Sequence, residues 1–401
     1  MVSLEQAIER ILSALPPPRT EVVSLAAALD RYAAVPVAAP LPLPPFDNSA
    51  MDGYAVRAED VAGASHERPV TLKLQGRMAA GESTSGEVSA GGCVRVFTGS
   101  MLPPGADAVV MQEDTETPHD DPTTIRVLDA VRPWENVRLQ GEDVKAGAAV
   151  LTAGERVSIT KRELLSALGV HRLSVGARPA AGFLATGNEL QEAGEPLRVG
   201  HLYECNRLTL AALAERAGAR TRLYPLAPDT LLGTRQALEK AFAECDLVVT
   251  TGGVSVGESD LVKETFAAMG GELAFWRVAM RPGKPFVFGR LEQKFLFGLP
   301  GNPVSAFVTF LLLVRPAILR WQGAACLHLP LRRAVLGEDL ANPGDRRHFA
   351  RVRLDEAGRV RAAGLQASHA LSSLANATGL VDVPPHTTWR TGTPVDVLTW
   401  E

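Results

Sequence analysis

The segment Leu247-Val-Val-Thr-Thr-Gly-Gly-Val-Ser-Val-Gly-Glu-Ser-Asp260 runs from an apolar stretch through a Gly-Ser loop into a helical pattern. In parallel α/β sheets ligands sit at this place, outside the carboxyl ends of the strands. Glycines let backbone N–H groups approach an oxyanion, and a helix N-terminus adds partial positive charge. Gly252, Gly253, Ser255 and Gly257 are therefore candidate ligand contacts, with a plain Gly-rich turn as the blander reading. Neither G-x-G-x-x-G nor Gly-Lys-Ser/Thr occurs, so this is not a dinucleotide fingerprint or a P-loop. Gly253-Val-Ser-Val-Gly257 does satisfy the G-x-S-x-G pattern of serine hydrolases. The acid and His of such a triad, Asp339 with His348 or His369, fall in a later β-rich stretch, which argues against that chemistry.

A second candidate is Phe275-Trp-Arg-Val-Ala-Met-Arg-Pro-Gly-Lys-Pro285. Arg277, Arg281, Lys284 and Arg290 lie in a stretch, 273–291, that contains no acid. Two arginines in alternating register and a lysine on a Pro-Gly turn suit a phosphate or oxyanion clamp; a solvated basic edge is the alternative. Gly298-Leu-Pro-Gly-Asn-Pro-Val-Ser305 places Asn302 as an N-cap and Pro303 at the first helical position. That is another anion-ready helix start, although capping alone explains it. Thr186-Gly-Asn-Glu189 ends a strand and presents Glu189 to the same rim. Upstream, Pro45-Phe-Asp-Asn-Ser-Ala-Met-Asp-Gly-Tyr-Ala55 gathers Asp47 and Asp52 around one glycine. A calcium loop fails there, because Met51 and Ala58 occupy ligand positions. The carboxylates can hold Mg²⁺ through water, orient a substrate, or merely form Asx turns. Arg95-Val-Phe-Thr-Gly-Ser100, Gln140-Gly-Glu-Asp-Val144 and Ala367-Ser-His-Ala370 are weaker polar turns.

The elements that must position these residues follow from periodicity. Residues 178–326 alternate strand and helix: strands at 182–186, 221–226, 247–251 and 275–279, helices at 207–217, 231–242 and 260–269, and a long closing helix at 303–321. This predicts a three-layer α/β unit with a mostly parallel sheet. Residues 46–143 read as a small β-rich unit and 327–401 as short strands of a β-barrel or sandwich. Residues 1–45 give two short helical patterns and a Pro-rich stretch. Ser3 and Gln6 stand in capping-box spacing, and Leu4, Ile8, Ile11, Leu12 and Leu15 form one apolar stripe.

The chain has 401 residues, with 41 Lys+Arg against 45 Asp+Glu and a net charge of −4. Length alone allows two to four domains. The 36 Gly and 28 Pro exceed the usual ~12% but fall short of the ~25–30% of low-complexity sequence. Mild acidity argues against general nucleic-acid binding, which needs a basic stripe. The charge is uneven: 100–143 holds ten acids against three arginines. No signal peptide is read at the start, and the apolar run 304–314 is about half of what a membrane span needs. Cys93, Cys205, Cys245 and Cys326 show no Cys-x-x-Cys spacing, so free buried thiols in a reducing cytoplasm are expected, with no membrane and no nucleic acid.

Seven segments together resemble the molybdopterin molybdenumtransferase (MoeA) family, which includes the gephyrin E domain. They are Phe46-Asp-Asn-Ser-Ala-Met-Asp-Gly-Tyr-Ala-Val56, Phe97-Thr-Gly99, Gly141-Glu-Asp143, Thr186-Gly-Asn-Glu-Leu190, Thr251-Gly-Gly-Val-Ser-Val-Gly-Glu-Ser-Asp260, Arg281-Pro-Gly-Lys-Pro285 and Gly298-Leu-Pro-Gly-Asn-Pro-Val-Ser305. The resemblance implies four domains: 1–45 with 144–177, 46–143, 178–326 and 327–401. The fold is then multidomain α/β plus β, with a central MogA-like molybdopterin-binding unit, flanking β-rich domains and a C-terminal β-barrel. It further implies an L-shaped homodimer that inserts molybdenum from molybdate into adenylylated molybdopterin and releases AMP, with Mg²⁺ as divalent cation. Transient contact with the molybdopterin-adenylylating or cofactor-accepting proteins is expected of such an enzyme. By position, Asp52, Thr98, Asp143, Glu189, Asp229, Asp260, Arg277, Arg281 and Ser368 match residues at or near the family cleft. Pro300, Asn302, Pro303 and Lys284 join them as cofactor contacts. The carboxylates Asp52, Glu189 and Asp260 would repel a polyanionic substrate without a cation, which makes them the metal candidates. Two departures stand out: Arg replaces the family's frequent Lys at 277 and 281, and Thr-Gly-Asn-Glu replaces TGDE. The family alternatives are a pterin adenylyltransferase and a non-catalytic scaffold.

Overall fold

The computed structural model describes residues 1–82, 87–253 and 261–400. Helix Leu4–Ala14 carries the expected capping box: Gln6 N–H donates to Ser3 Oγ and Ser3 N–H to Gln6 Oε1, both at 3.1 Å. Such a cap is worth about 1 kcal/mol. Leu4, Ala7, Ile11 and Leu15 enter the core of the α/β unit, and Val2 bridges to Val278. The second helical pattern is instead strand Thr20–Ser24 followed by a 3₁₀ turn, Leu25–Ala28. Val22 and Val23 are β-branched, and the antiparallel partner Arg172–Gly176 satisfies their backbone. A separate core joins residues 25–39 to residues 150–175.

The small β-rich unit is a six-stranded sheet in the order Ala108–Met111, Gly53–Val56, Gly92–Val96, Val70–Met78, Thr124–Val127, Thr115–Glu116. Alternation gives it two apolar faces, one with Tyr54, Val56 and Val110, the other with Ala55, Val94 and Val109. Gly53 is required there, since a Cβ would lie 2.0 Å from the Val110 carbonyl oxygen.

In the α/β unit the sheet order is Arg220–Leu223, Ala180–Ala185, Leu247–Thr251, Lys294–Leu299, Pro285–Leu291, Glu272–Arg277. The first four strands are parallel, and the last two turn back antiparallel. Helices cover both faces, giving two cores built on opposite sides of the same strands. The helical run Pro303–Trp321 is long and apolar enough to cross a bilayer, yet 89% of it is buried among the other elements. Its middle, Phe310–Val314, widens into a π turn. Pro316 cannot donate to the carbonyl four residues back, and the wider turn makes room for its ring.

The C-terminal unit is a closed five-strand barrel: Arg347–Leu354, Arg359–Ala362, Leu331–Leu336, Pro394–Thr399 and Gly379–Val383, with the last pairing to the first. Segment Met280–Arg281 adds to it in parallel, Arg281 lying opposite His348. This ladder ties the basic loop of the α/β unit to the barrel. All four cysteines are free, but only Cys93 and Cys245 are buried; Cys205 and Cys326 are exposed, because they sit in loops flanking helices.

Candidate active site

A cleft of 660 Å³ opens at the carboxyl ends of three adjacent parallel strands. Glu189, Gly252, Gly253, Pro300, Asn302 and Pro303 line it. Both glycines have positive φ, +82° and +63°. A Cβ on Gly252 would stand 2.5 Å from the Thr186 carbonyl oxygen, and one on Gly253 2.7 Å from Val262 Cγ2. The loop can therefore only be made of glycine, and its backbone faces the cleft unshielded. Beneath it the Thr186 hydroxyl is buried without a partner among the described residues.

Two carboxylates line the cleft. Glu204 is consumed: it accepts from Asn206 N–H at 2.6 Å, Arg207 N–H at 2.9 Å and Arg207 Nε at 2.9 Å. Glu189 has no such partner among the described residues, while its carbonyl accepts from Leu202 N–H at 2.7 Å and fixes the arm 189–203. Asn206 Nδ2 donates to the Gly301 carbonyl at 2.8 Å, bracing the opposite wall. Burial and neighbouring Glu204 push the Cys205 thiol up, so it stays protonated and is a wall rather than a nucleophile.

The helix start at Pro303 differs from expectation. Asn302 occupies the N-cap, but its side chain makes no cap bond; Nδ2 donates to Ser368 Oγ at 3.1 Å instead. Val304 N–H donates to the Ser368 carbonyl at 3.2 Å. The barrel loop thus takes the place an anion was expected to hold at that N–H, because Pro303 supplies no donor and the loop arrives with a free carbonyl. His369 and Leu371 from the same loop complete the rim.

The basic segment lies along the joint between the two units. Arg277 is opposite Pro285, a cleft residue, and its Nε is buried without an acceptor among the described residues. Lys284 and Arg281 are exposed. Arg351, which nothing in the motifs singled out, is fully buried behind them. It donates to Leu365 O at 2.7 Å, Ala367 O at 3.1 Å and Ser373 Oγ at 2.9 Å, and Nη1 has no acceptor among the described residues. Burial and Arg281 push its pKa down. His348 is also buried, both ring nitrogens lack partners among the described residues, and burial with Arg281 and Arg351 lowers its pKa to about 4. The available signal was an arginine inside an apolar strand, Phe349-Ala-Arg-Val352. A cation buried without a counter-charge among the described residues is costly, and an anion at this joint would offset that cost.

Asp52 and Thr98 do not line this cleft. They sit together at the end of the small β sheet, Asp52 Oδ1 accepting from Thr98 N–H and Oγ1, each at 2.8 Å. Those bonds hold the Asp52 carboxyl below its usual range. Asp143 lines a different cleft of 480 Å³ with Lys145 and Lys161. Asp229 is exposed two residues past Ala227, which pairs with Thr186. Ser255, Gly257 and Asp260 lie outside the described residues, and no cluster of three metal-ligating side chains occurs among those described. Of the residues considered for a hydrolase triad, Asp339 is tied to Arg390 and Thr391, His348 is buried, His369 lines the cleft rim, and Ser255 lies outside the described residues.

Three family models match successive parts of the chain: MoeA N-terminal region (domain I and II) over 2–169, probable molybdopterin binding domain over 182–320, and MoeA C-terminal region (domain IV) over 333–400. A Haemophilus influenzae protein named molybdopterin molybdenumtransferase is 39% identical over 379 residues, 93% of this chain and 92% of its own. Molybdopterin molybdenumtransferase 2 of Mycobacterium tuberculosis is 40% identical over 354 residues, 87% of each chain. The crystal structure of a molybdopterin biosynthesis MoeA protein from Pyrococcus horikoshii superposes with a TM-score of 0.84 at 33% identity, over 100% of this chain and 99% of that one. The chain belongs to the MoeA family of molybdopterin molybdenumtransferases.

Proposed function

We propose that this chain transfers molybdenum from molybdate to adenylylated molybdopterin and releases AMP. The observation that carries this reading is the joint beside the cleft. Arg351 is buried with an unpartnered N–H, next to Arg281 and a neutral His348. A tetrahedral dianion there would satisfy those donors and relieve the burial of an unpaired cation. Ser368, carried on the loop that Arg351 holds, touches Asn302 on the cleft side. The molybdate position and the pterin cleft are thus joined by one hydrogen-bonded loop.

The pterin substrate would lie in the cleft, with its anionic groups toward the Gly252–Gly253 backbone and Lys284. Arg277 and Arg281 present planar forks in place of lysine, so oxyanion contacts are bidentate and directional. Mg²⁺ commonly takes one or two carboxylates and completes its shell with substrate phosphates and water, and Glu189, the cleft carboxylate without a side-chain partner among the described residues, fits that role. There it would supply Lewis-acid polarisation of the phosphoanhydride. Glu189 otherwise orients the linkage, and the arm 189–203 keeps it at the rim.

Asp52 and Thr98 act in this reading from the partner of a homodimer, since the cleft of a single chain is not lined by them. Pure protein incubated with adenylylated pterin and molybdate should release AMP and give active cofactor. ATP-dependent adenylylation of the pterin would instead favour an adenylyltransferase, and neither activity would favour a scaffold.

A further inference from the structure

The small β unit carries a second arrangement of cations that the cleft does not use. In its sheet Tyr54 lies directly opposite Arg95, and Arg77 directly opposite Arg95 on the other side. A bulge between Leu74 and Gly76 sets that register. The three side chains form one row on one face, and Phe97, two residues beyond Arg95, stands on the same face. Arg95 Cζ is 4.8 Å from the centre of the Tyr54 ring and 5.3 Å from that of Phe97; Arg77 Cζ is 5.2 Å from Phe97.

Like charges set opposite each other across a sheet repel. Among the described residues neither arginine has a carboxylate within ion-pair distance; Arg95 donates to Gln112 Oε1 and no bond compensates Arg77. The nearby acid, Asp52, is already engaged by Thr98 and feels Arg95 only through space. Aromatic faces thus hold two guanidiniums side by side; Arg95 spends one terminal N–H on Gln112, and the Arg77 fork has no acceptor among the described residues. Stacking fixes an arginine's plane and leaves its fork free, the state in which it reads phosphate. Two forks span a single phosphate and not an extended backbone, so a mononucleotide fits and a nucleic-acid strand does not.

We propose that Arg77 and Arg95, backed by Phe97 and Tyr54, form a nucleotide-phosphate site that takes the adenylate group. This rests on the molybdenum-transfer reading only for its place in turnover; binding of AMP stands by itself.

The test is calorimetric titration of the full-length protein with AMP, adenosine and inorganic phosphate. Wild type should bind AMP, bind phosphate more weakly, and bind adenosine weakest. Arg77→Gln combined with Arg95→Gln should raise the Kd for AMP at least tenfold. Arg77→Lys, which keeps charge but loses the fork and leaves Arg95 in place, should give a smaller loss at an unchanged melting temperature. No AMP binding by wild type, or equal affinity in Arg77→Lys and in the double variant to that of wild type, overturns the site. Molybdate-dependent AMP release is measured on the same wild-type sample. Release with unaffected variants sinks this site alone, whereas absence of release with intact AMP binding sinks the transfer reading alone.

Discussion

Asn302 Nδ2 donates to Ser368 Oγ at 3.1 Å, so the helix that floors the cleft is fastened to the barrel through its N-cap side chain. The Ser368 carbonyl meanwhile accepts from Val304 N–H at 3.2 Å. Ser368→Ala removes the first bond and leaves the second. With one hydrogen bond worth about 1 kcal/mol, the KM for the pterin substrate should rise roughly fivefold. The melting temperature should barely move, and steady-state AMP release with a parallel melt checks both.

Gly252→Ala should abolish activity. Its φ of +82° and the Thr186 carbonyl oxygen at 2.5 Å leave no place for a Cβ, so the loop must shift at a cost of about 1–3 kcal/mol. Gly270 has a similar φ of +85° but open space around it. Gly270→Ala should lose about 1 kcal/mol of stability and keep its turnover. Equal turnover in the two variants would remove the cleft loop from the account.

The pH dependence of stability should carry the mark of His348. Its pKa falls from 6.5 in the open chain to about 4 in the folded protein, through burial, Arg281 on the paired segment and Arg351 on its own strand; its other strand neighbour is Val383. Between those values the unfolded chain binds more protons, so stability is full above pH 6.5 and falls as pH drops toward 4. Allowing for solvent screening, the loss is roughly 2 kcal/mol. His348→Gln should flatten that slope, measured as melting temperature between pH 7 and pH 4.5.

Asp52 loses its contribution in the same direction, but over a more acidic window. Thr98 holds its carboxyl below the ordinary value of 3.8, so its contribution is present above that value and is lost as pH falls through the lower folded one. Thr98→Val removes the hydroxyl donor and keeps the backbone donor. The Asp52 carboxyl carbon should then titrate closer to 3.8 by NMR, with no change if the hydroxyl bond is idle.

The strand–loop–helix alternation of 178–326 and the Gly252–Gly253 loop were legible in sequence, because period and glycine placement are local properties. The strand at Thr20–Ser24 was not, since its stability comes from Arg172–Gly176, about 150 residues away in the chain. Asn302 was read as an N-cap because propensity is local, whereas its actual acceptor arrives from the barrel. Arg351 was missed for the same reason. One arginine in an apolar strand means nothing until the fold sets it behind Arg281 and leaves Nη1 without an acceptor.

In the proposed reaction molybdate enters at the Arg281–Arg351 joint and triggers loss of AMP from the pterin in the adjoining cleft. It is tested by following AMP release against molybdate concentration in wild type and Arg351→Met, which keeps the volume and removes the buried charge. The account predicts release only with molybdate, one AMP per molybdenum retained. In Arg351→Met the half-saturating molybdate concentration should rise at least about tenfold, the loss of a charge-assisted contact, with the KM for the pterin substrate little changed. Full-rate AMP release without molybdate, or an unchanged molybdate dependence in a folded Arg351→Met, would contradict it.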